Sequence, residues 1–497
     1  MLKLQEKVIL WHMQHDLNIA NDINKRQFGF KKGCSTEAAL HKVTHTIERR
    51  IAKKGYVLGV FLDIEGAFDN VSFKAISEAV KATKVDLATA QWIINMIVMF
   101  TWNSKWTLRP ITVGNNIIGL SKSAKFLGVT LDSKLNFNEH IINTTKKATA
   151  SLMQCRRAVG PTWGMSPKTC KWMYTAVIRP ILSYCCSIWI RATQTDYNAK
   201  KLKRVQALAL RMMSGAMPST PFIALNHLTD TSDIILFLQG EAAKGAARLQ
   251  AYGSLTLETI AFRKGTIKNH TTINKQFMAD LIIPPRATRD LTTPTMMLGR
   301  HFTVTTPGAD TTEYRNSLQN TIDNITSETI TCYTDGSLTD SGCGAGYIIT
   351  TDNNNTTLEE RSFKLPDYCT VYQTELTAII EACKYLSTYT NTHIIIWSDS
   401  LSSIHALSAL STRSRTTRDC YDSLNSLGSN NTLDIRWIAA HIGLWGNEKA
   451  DELAKLGTIS ESTLRCPIPQ SYIKRQIDNK AEHLNAILSW AIMAQPL

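Results

Sequence analysis

Two aspartates stand close together in the stretch VFLDIEGAFDNV, residues 60–71. Asp63 follows three apolar residues, and Asp69 follows an aromatic residue six positions later. A carboxylate at the end of a short apolar strand suits a hard divalent cation, which prefers oxygen ligands. A site that clamps two metal ions needs a second group of carboxylates. The stretch therefore raises the question of which residues would complete such a site.

Four further acids, in the C-terminal third, stand where strands end and helices begin. Asp335 follows an apolar run before a predicted Gly-Ser turn, and Asp399 ends the strand-like run HIIIWS. Glu375 lies near the start of an amphipathic helix, and Asp451 lies in the early turns of another, after a loop with His441. Such positions gather ligand groups in α/β folds. Packed carboxylates repel one another unless a divalent metal neutralises them, so the pattern indicates Mg²⁺.

Each of these residues also has a simpler interpretation. A strand-end aspartate is commonly a turn cap, and a helix-start glutamate commonly complements the helix dipole. A lone histidine in a loop is usually just solvated. Only the joint order of the four acids and the histidine loop favours a shared site.

Charge is distributed unevenly along the 497 residues. The formal net charge is +14, yet residues 141–211 hold 13 Lys or Arg and a single acid, Asp196. Residues 331–457 instead hold more acids than bases. One segment is therefore suited to phosphates and another to collecting carboxylates.

Cysteine usage and hydropathy favour a protein without disulfides or membrane spans. The 11 cysteines are scattered and form no Cys-x-x-Cys pair, which is typical of reduced thiols inside a cell. The N-terminus carries charges within its apolar pattern and predicts a helix, not a signal peptide. The longest apolar region, 173–190, is interrupted by Arg179 and Pro180, so we expect no membrane span.

Hydrophobic periodicity outlines the elements in the first half of the chain. VLGVFLDI predicts a buried strand, and residues 72–98 predict two helices. TLRPITVGNNIIGL predicts a hairpin, and KFLGVTLDSKL predicts a strand and turn in which Asp132 has a turn role. Residues 138–252 are mostly helical in pattern.

Four motifs follow one another within residues 328–457: TDGS, QTEL, SDS and AAHIGLWGNEKADELAK. In this order they resemble ribonuclease H of type 1. The resemblance implies Asp335, Glu375, Asp399 and Asp451 as ligands of two Mg²⁺ ions, with Mn²⁺ as an alternative metal. It implies that His441 assists proton transfer or product release. The family cleaves the RNA strand of RNA/DNA hybrids.

RNA is distinguished from DNA by its 2′-hydroxyl groups, so contacts to these groups would provide the selectivity. The backbone at Gly336 and Ser337 and the side chain of Gln373, near the catalytic glutamate, are the RNA contacts that we expect.

The N-terminal two thirds resemble the reverse transcriptase of non-LTR retrotransposons, in particular the jockey-like elements. The motifs are QFGFKKGCSTEAAL, VFLDIEGAFDNV, KFLGVTLDSKLNFNEHI and WMYTAVIRPILSYCCSIW. The resemblance implies Asp63 as a metal ligand and places Phe68 beside the incoming nucleotide.

The chain departs from the reverse transcriptase pattern at its second metal motif. That motif has two adjacent aspartates, and no Asp-Asp dipeptide occurs in these 497 residues. We therefore expect Asp63 to lack a partner and polymerase activity to be lost. The missing motif is explained either by a decayed or mis-spliced copy or by a gene model with an excised segment. RNA-directed DNA polymerase activity would require that the missing segment exist in the real transcript.

Eight basic residues of the helical region are candidates for phosphate contacts. They are Lys146, Lys147, Arg156, Arg157, Lys200, Lys201, Lys203 and Arg204. Neutralising phosphates would give salt-dependent, sequence-tolerant binding. The simpler alternative is a solvated helix face.

The combined interpretation is an α/β ribonuclease H-like domain with a mixed five-stranded sheet and helices. A helical thumb and connection and an incomplete α+β reverse transcriptase palm and fingers precede it. The predicted segments are 1–137 (truncated fingers and palm), 138–282 (basic thumb and connection), 283–327 (linker), 328–457 (ribonuclease H domain) and 458–497 (tail).

The function predicted from this interpretation is cleavage of RNA in RNA/DNA hybrids. The alternative from another class is a catalytically inactive nucleic-acid-binding remnant. We expect a nucleic-acid partner, no membrane and no small-molecule cofactor, and the sequence leaves the oligomeric state open. The resemblance implies a nuclear location.

Overall fold

The computed structural model describes residues 27–64, 93–102, 111–157, 164–253, 270–307 and 325–493, and the isolated positions 314, 318 and 322. Within these ranges it leaves short gaps at 30, 32, 114–115, 119, 280, 282–287, 327, 352–355 and 462. The chain divides into two compact units. Residues 1–281 and 477–497 form unit 1, and residues 282–476 form unit 2.

The described part of unit 1 combines short sheets with a set of packed helices. Its strands are β1 (Val57–Ile64), β2 (Ile93–Phe100), β3 (Ile111–Val113), β4 (Asn116–Ile118), β5 (Leu120–Ser121), β6 (Ser123–Phe126) and β7 (Val129–Asp132). Its helices are α1 (Thr36–Ala52), α2 (Asn138–Arg156), α3 (Pro167–Met173), α4 (Arg179–Ser183), α5 (Cys186–Trp189), α6 (Asp196–Ser214), α7 (Phe222–Leu228), α8 (Ile234–Ala251) and α9 (His270–Ala279), with a π-helical turn at Tyr174–Ile178 and a 3-10 turn at Ile190–Gln194.

Two of the sequence-based expectations for unit 1 are wrong in detail. The strand predicted as buried, β1, pairs antiparallel with β2 and leaves Leu58 and Val60 exposed, because alternate side chains of a strand face opposite sides. Residues 93–98, predicted as helix, belong to β2. The rest of the two predicted helices, 72–92, lies outside the described residues.

Other expectations for unit 1 are confirmed. The Gly-Asn-Asn hairpin is the antiparallel pair β3–β4, and the region from Asn138 onward is helical. The carboxylate of Asp132 accepts hydrogen bonds from the backbone N–H groups of Lys134, Asn136 and Phe137, which is the predicted turn role.

Unit 2 is built around a mixed six-stranded sheet with helices. Its elements are β8 (Thr295–Met296), β9 (Thr303–Thr305), β10 (Ile330–Thr339), β11 (Gly342–Thr351), β12 (Thr356–Leu365), α10 (Val371–Leu386), β13 (His393–Ser398), α11 (Leu401–Ser408), β14 (Ser411–Thr412), α12 (Arg415–Gly428), β15 (Thr432–Trp437) and α13 (Trp445–Gly457). The helix α14 (Gln470–Met493) begins in unit 2 and continues in unit 1. The strand order is β12-β11-β10-β13-β15-β9. The five predicted strands are present and lie side by side in this order.

The sixth strand, β9, corrects the interpretation of residues 283–327 as a linker. It pairs in parallel with β15, and the nearby side chains of Leu318, Ile322 and Ile325 are buried in the core of unit 2. Because a Thr-rich three-residue strand has no periodicity of its own, the sequence does not reveal it.

Among the described residues, no single helix has the length and apolar composition needed to cross a membrane. One pair of helical segments, Pro167–Ser183 and Cys186–Gln194, meets that test only when taken together, and it is bent by 52°.

Candidate active site

The register of the sheet brings Asp335 and Asp399 together. Strands β10 and β13 run parallel, and their last paired residues are Thr334 and Ser398. Asp335 and Asp399 are the next residues of the two strands. Neighbouring strands lie about 4.8 Å apart, so the two carboxylates share one edge of the sheet. The Gly-Ser pair after Asp335, predicted as a turn, continues β10 and pairs with β11.

A glycine allows the third acid to approach. A Cβ atom on Gly336 would lie 2.4 Å from the backbone nitrogen of Glu375, so any side chain there would force α10 away from β10. The helix is fixed at this end by a capping box in which Thr370 and Gln373 exchange hydrogen bonds. Glu375, in the second turn, therefore lies against Asp335.

Three of the four predicted ligands form one cluster. Asp335, Glu375 and Asp399 each present a carboxylate oxygen, and these three oxygens all lie within 4.8 Å of one another. Asp335 and Glu375 are buried, and the Oε2 atom of Glu375 is buried without a hydrogen-bond partner in the protein.

Burial and mutual repulsion disfavour ionisation of the cluster. Burial, with the charges of Asp399 and Asp451, raises the pKa of Asp335 to about 7. Burial, with the charges of Asp335 and Asp399, raises the pKa of Glu375 well above its ordinary value. The pKa of Asp399 is also raised, mainly by burial. Ionising these acids together costs free energy, and a bound cation would offset that cost.

The fourth acid, Asp451, lies at the margin of this cluster. Its charge acts on Asp335 and Asp399, but it is not among the three acids whose oxygens converge. Its Oδ2 atom instead lies 2.6 Å from the Nζ atom of Lys455, one turn later in α13.

His441 lies in the loop before α13, as predicted. It is exposed and has φ 54°, a left-handed conformation that is uncommon outside glycine. Its charge lowers the pKa of Asp399, against the larger effect of burial. His441 is thus close enough to the cluster to interact with Asp399.

The sequence analysis missed two residues that orient Asp399. The side chain of Asn447 forms a hydrogen bond with the Asp399 carboxylate, and the indole N–H of Trp437 donates to the Asp399 backbone carbonyl over 3.0 Å. The signal for Asn447 was present, because Asn447, Asp451 and Lys455 follow one another at intervals of four and so share one face of α13.

The structure corrects the predicted role of Gln373. Its side chain is buried, its oxygen accepts from the Thr370 backbone, and its amide nitrogen donates to Pro467 and Thr416. Since both ends of the amide are used within the protein, Gln373 holds the start of α10 in place and is unavailable to RNA. Gly336 is also buried, whereas Ser337 is partly accessible.

The reverse transcriptase residues have no comparable cluster in the part of unit 1 that the structure describes. The backbone of Asp63 lies in β1 opposite Ile94, and the paired strand has the sequence IINMIVMF, without an acid. Phe68 lies outside the described residues.

The eight basic candidates lie on or beside two helices, α2 and α6, that pack together. Six are exposed, while Lys201 and Lys203 are partly buried. Lys203 forms an ion pair with Asp233 over 2.9 Å and lies over the ring of Phe222. The structure therefore gives Lys203 a packing role, in contrast to its predicted phosphate contact.

Two family models match the chain. The model described as RNase H matches residues 327–459, and the model described as Reverse transcriptase (RNA-dependent DNA polymerase) matches residues 1–116.

Curated relatives are retrotransposon proteins. The RNA-directed DNA polymerase from transposon BS of Drosophila melanogaster is 29% identical over 130 residues, 25% of this chain and 14% of that protein. The RNA-directed DNA polymerase from mobile element jockey, of the same species, is 21% identical over 317 residues, 43% of this chain and 34% of that protein. The Pol polyprotein from type-1 retrotransposable element R1 of Bradysia coprophila is 25% identical over 100 residues, 20% and 10% of the two chains. This chain thus spans about a third or less of the length of these relatives.

Solved structures similar to the chain include two ribonuclease H proteins. The ribonuclease H1 of Halobacterium salinarum is 20% identical, with a TM-score of 0.23, and the match covers 26% of this chain and 96% of that one. The N-terminal ribonuclease H domain of a Mycobacterium tuberculosis protein is 19% identical, with a TM-score of 0.24, and the match covers 27% and 94%. By the family-model matches and the curated relatives, the chain is similar to non-LTR retrotransposon polyproteins, with one region that matches ribonuclease H and one that matches reverse transcriptase.

Proposed function

We propose that this chain hydrolyses the RNA strand of RNA/DNA hybrids with divalent metal ions held by Asp335, Glu375, Asp399 and Asp451. The observation that carries the proposal is the convergence of three carboxylates within 4.8 Å, including a buried oxygen of Glu375 without a partner. Uncompensated buried acids cost folding free energy, and a bound cation offsets that cost. The all-oxygen donor set fits Mg²⁺ or Mn²⁺.

The protein's own residues would hold and orient the reacting groups. When bound, the metal ions would activate a water molecule and stabilise the negative charge that develops on the scissile phosphate. Asn447 and Trp437 keep Asp399 in position. Asp335 and Glu375, whose pKa values are raised by burial and by the neighbouring acids, would hold the ions through their carboxylate oxygens. His441, exposed beside Asp399, is placed to carry a proton to or from the reacting strand. The accessible backbone at Ser337 is our candidate for contact with a 2′-hydroxyl.

We further propose that unit 1 has lost polymerase activity and retains nucleic-acid binding. One carboxylate, Asp63, cannot hold two metal ions in line, and the strand paired with it contributes no acid. Helices α2 and α6 carry exposed basic residues, and among the ion pairs of the described residues only Lys203 of the eight candidates takes part. These residues support phosphate binding that weakens as salt rises.

The test of the proposed function uses RNA labelled at its 5′ end and annealed to DNA, with Mg²⁺ and the 497-residue chain. We expect cleavage of the hybrid, no cleavage of duplex RNA, and loss of cleavage in Asp335→Asn. A folded chain that binds the hybrid without cutting it would support the inactive nucleic-acid-binding alternative.

A further inference from the structure

Asp451 is the one member of the four-acid group that already has a cation beside it. Lys455 Nζ lies 2.6 Å from Asp451 Oδ2, a charge-assisted hydrogen bond along α13. The three other acids have converging oxygens and, for Glu375, an oxygen without a partner. Among the described residues, Asp335, Glu375 and Asp399 therefore form a cluster without an ion-pair partner, whereas Asp451 is neutralised by Lys455.

The lysine acts on the cluster as well as on its immediate partner. Its positive charge acts on Asp335 as well as on Asp451. A lysine ammonium is charged at neutral pH. A fixed positive charge at this position reduces the negative potential that attracts a metal ion.

We propose that Lys455 is an internal counter-ion that competes with divalent metal for Asp451 and thereby sets the metal concentration at which the site is loaded. The proposal rests on the proposed function, since it concerns the same four acids. A metal ion bound by Asp451 would either displace the ammonium from Oδ2 or bind the other carboxylate oxygen beside a like charge. Both routes make metal binding less favourable than it would be without Lys455.

The same helix offers a matched control. Lys449 forms an ion pair with Glu452 over 3.3 Å, also on α13 and also between near neighbours in sequence. Glu452 is not among the main causes of the raised pKa of Asp335, Glu375 or Asp399. Lys449→Gln removes one positive charge from α13, as Lys455→Gln does, but leaves the Asp451 pair intact.

The first measurement is a calorimetric titration of Mg²⁺ into the 497-residue chain at low ionic strength, for the native protein, Lys455→Gln and Lys449→Gln. Exposed ion pairs are worth a fraction of a kcal/mol to about 1 kcal/mol. We therefore expect Lys455→Gln to bind Mg²⁺ about two- to fivefold more tightly, and Lys449→Gln to match the native affinity. Added salt screens the ammonium and should reduce the difference.

Two further variants separate competition from a change in folding. Lys455→Arg keeps the charge and should restore the native affinity. In an Asp451→Asn background, Lys455→Gln should have a much smaller effect, because the carboxylate for which lysine and metal compete is gone. Unchanged or weaker Mg²⁺ binding by folded Lys455→Gln would overturn the proposal.

The outcome also separates this proposal from the proposed function. If the native chain cleaves hybrid and binds Mg²⁺ but Lys455→Gln binds no more tightly, only the counter-ion role fails. If neither protein binds Mg²⁺ at millimolar concentration, the metal site and the counter-ion role are both overturned.

Discussion

Two buried glutamates, one in each unit, have opposite surroundings. Glu48 of unit 1 lies 3.0 Å from His270 and 3.3 Å from Arg191. Burial opposes its ionisation, but its interactions with His270 and Arg191 hold its pKa below the ordinary value. Glu375 of unit 2 is surrounded by acids, and its pKa is raised well above the ordinary value. Glu48 is thus a structural charge with its partners in place, whereas the surroundings of Glu375 favour the binding of a cation.

The comparison extends to the two aspartates that follow apolar strand residues. Asp335 gains neighbours because a parallel strand and two helices each bring an acid to the same edge of the sheet. Asp63 lies opposite Ile94 in an antiparallel pair whose other strand is entirely without acids. A strand-end carboxylate thus becomes a candidate site through what neighbouring elements deliver to it.

The largest expected effect is on the rate of hybrid cleavage and concerns Glu375 of unit 2. Glu375→Gln should reduce hybrid cleavage by about 1,000-fold or more, since a neutral amide removes a ligand charge from the metal site. Glu360→Gln, an exposed acid on β12, should leave the rate unchanged. Initial cleavage rates at saturating Mg²⁺ measure both. Equal rates for Glu375→Gln and the native chain would remove Glu375 from the site.

The second expected effect is on stability, and here the glutamate of unit 1 matters while the glutamate of unit 2 does not. Glu48→Gln leaves the buried Arg191 without its carboxylate and should destabilise unit 1 by about 3–5 kcal/mol. Glu375→Gln removes a repelled charge and should leave metal-free unit 2 as stable as before or more so. Denaturant unfolding in EDTA measures both changes. Destabilisation of unit 2 by Glu375→Gln would mean that this acid, too, is structurally paired.

The third expected effect is a pH dependence of the stability of metal-free unit 2 that comes from Asp335. Asp335 has an ordinary pKa of 3.8 and a folded-state pKa of about 7, so between these values only the folded chain holds the proton. Stability of unit 2 should fall as pH rises from about 4 to 7 and then level off, by on the order of 4 kcal/mol.

Calorimetric unfolding in EDTA across this pH range, compared with Asp335→Asn, measures the difference. The variant lacks the titrating group and should lose this component, and saturating Mg²⁺ should also reduce it. An identical pH profile in the native chain and Asp335→Asn would contradict the raised pKa.

The smallest expected effect compares two glycines. Gly336→Ala would place a Cβ atom 2.4 Å from the backbone of Glu375 and should cost about 1–3 kcal/mol, with a loss of cleavage as α10 moves. Gly240→Ala, inside α8, finds no atom nearer than 3.8 Å and should be neutral or stabilising by up to about 1 kcal/mol. Thermal unfolding and cleavage rates measure both. Wild-type cleavage by Gly336→Ala would show that close approach of the helix is not needed.

The sequence singled out the four acids because their signals are local. Their motifs stand in order along the chain, and the apolar runs before Asp335 and Asp399 predicted β10 and β13. The five-stranded sheet was implied by the family resemblance, since a strand such as β12 (TTLEERSFKL) has no apolar run of its own. The i, i+4 spacing of Asn447, Asp451 and Lys455 was also visible, although its meaning depends on where Asp399 lies.

What the sequence could not reveal depends on residues far apart in the chain. Gln373 is unavailable to RNA because it donates to Pro467, 94 positions later, and Glu48 is satisfied by His270, 222 positions away. Strand β9 exists only because β15 supplies a partner for three threonine-rich residues. Tertiary pairing of this kind leaves no local pattern.

The most direct test of the contrast between the units uses one substrate for both. A DNA primer annealed to a longer RNA template, with Mg²⁺ and all four deoxynucleoside triphosphates, reports RNA cleavage and primer extension in the same reaction. We expect that the RNA paired with the primer is cut and that the primer keeps its length. Primer extension that disappears in Asp63→Asn, or intact RNA in the presence of folded protein, would overturn this expectation.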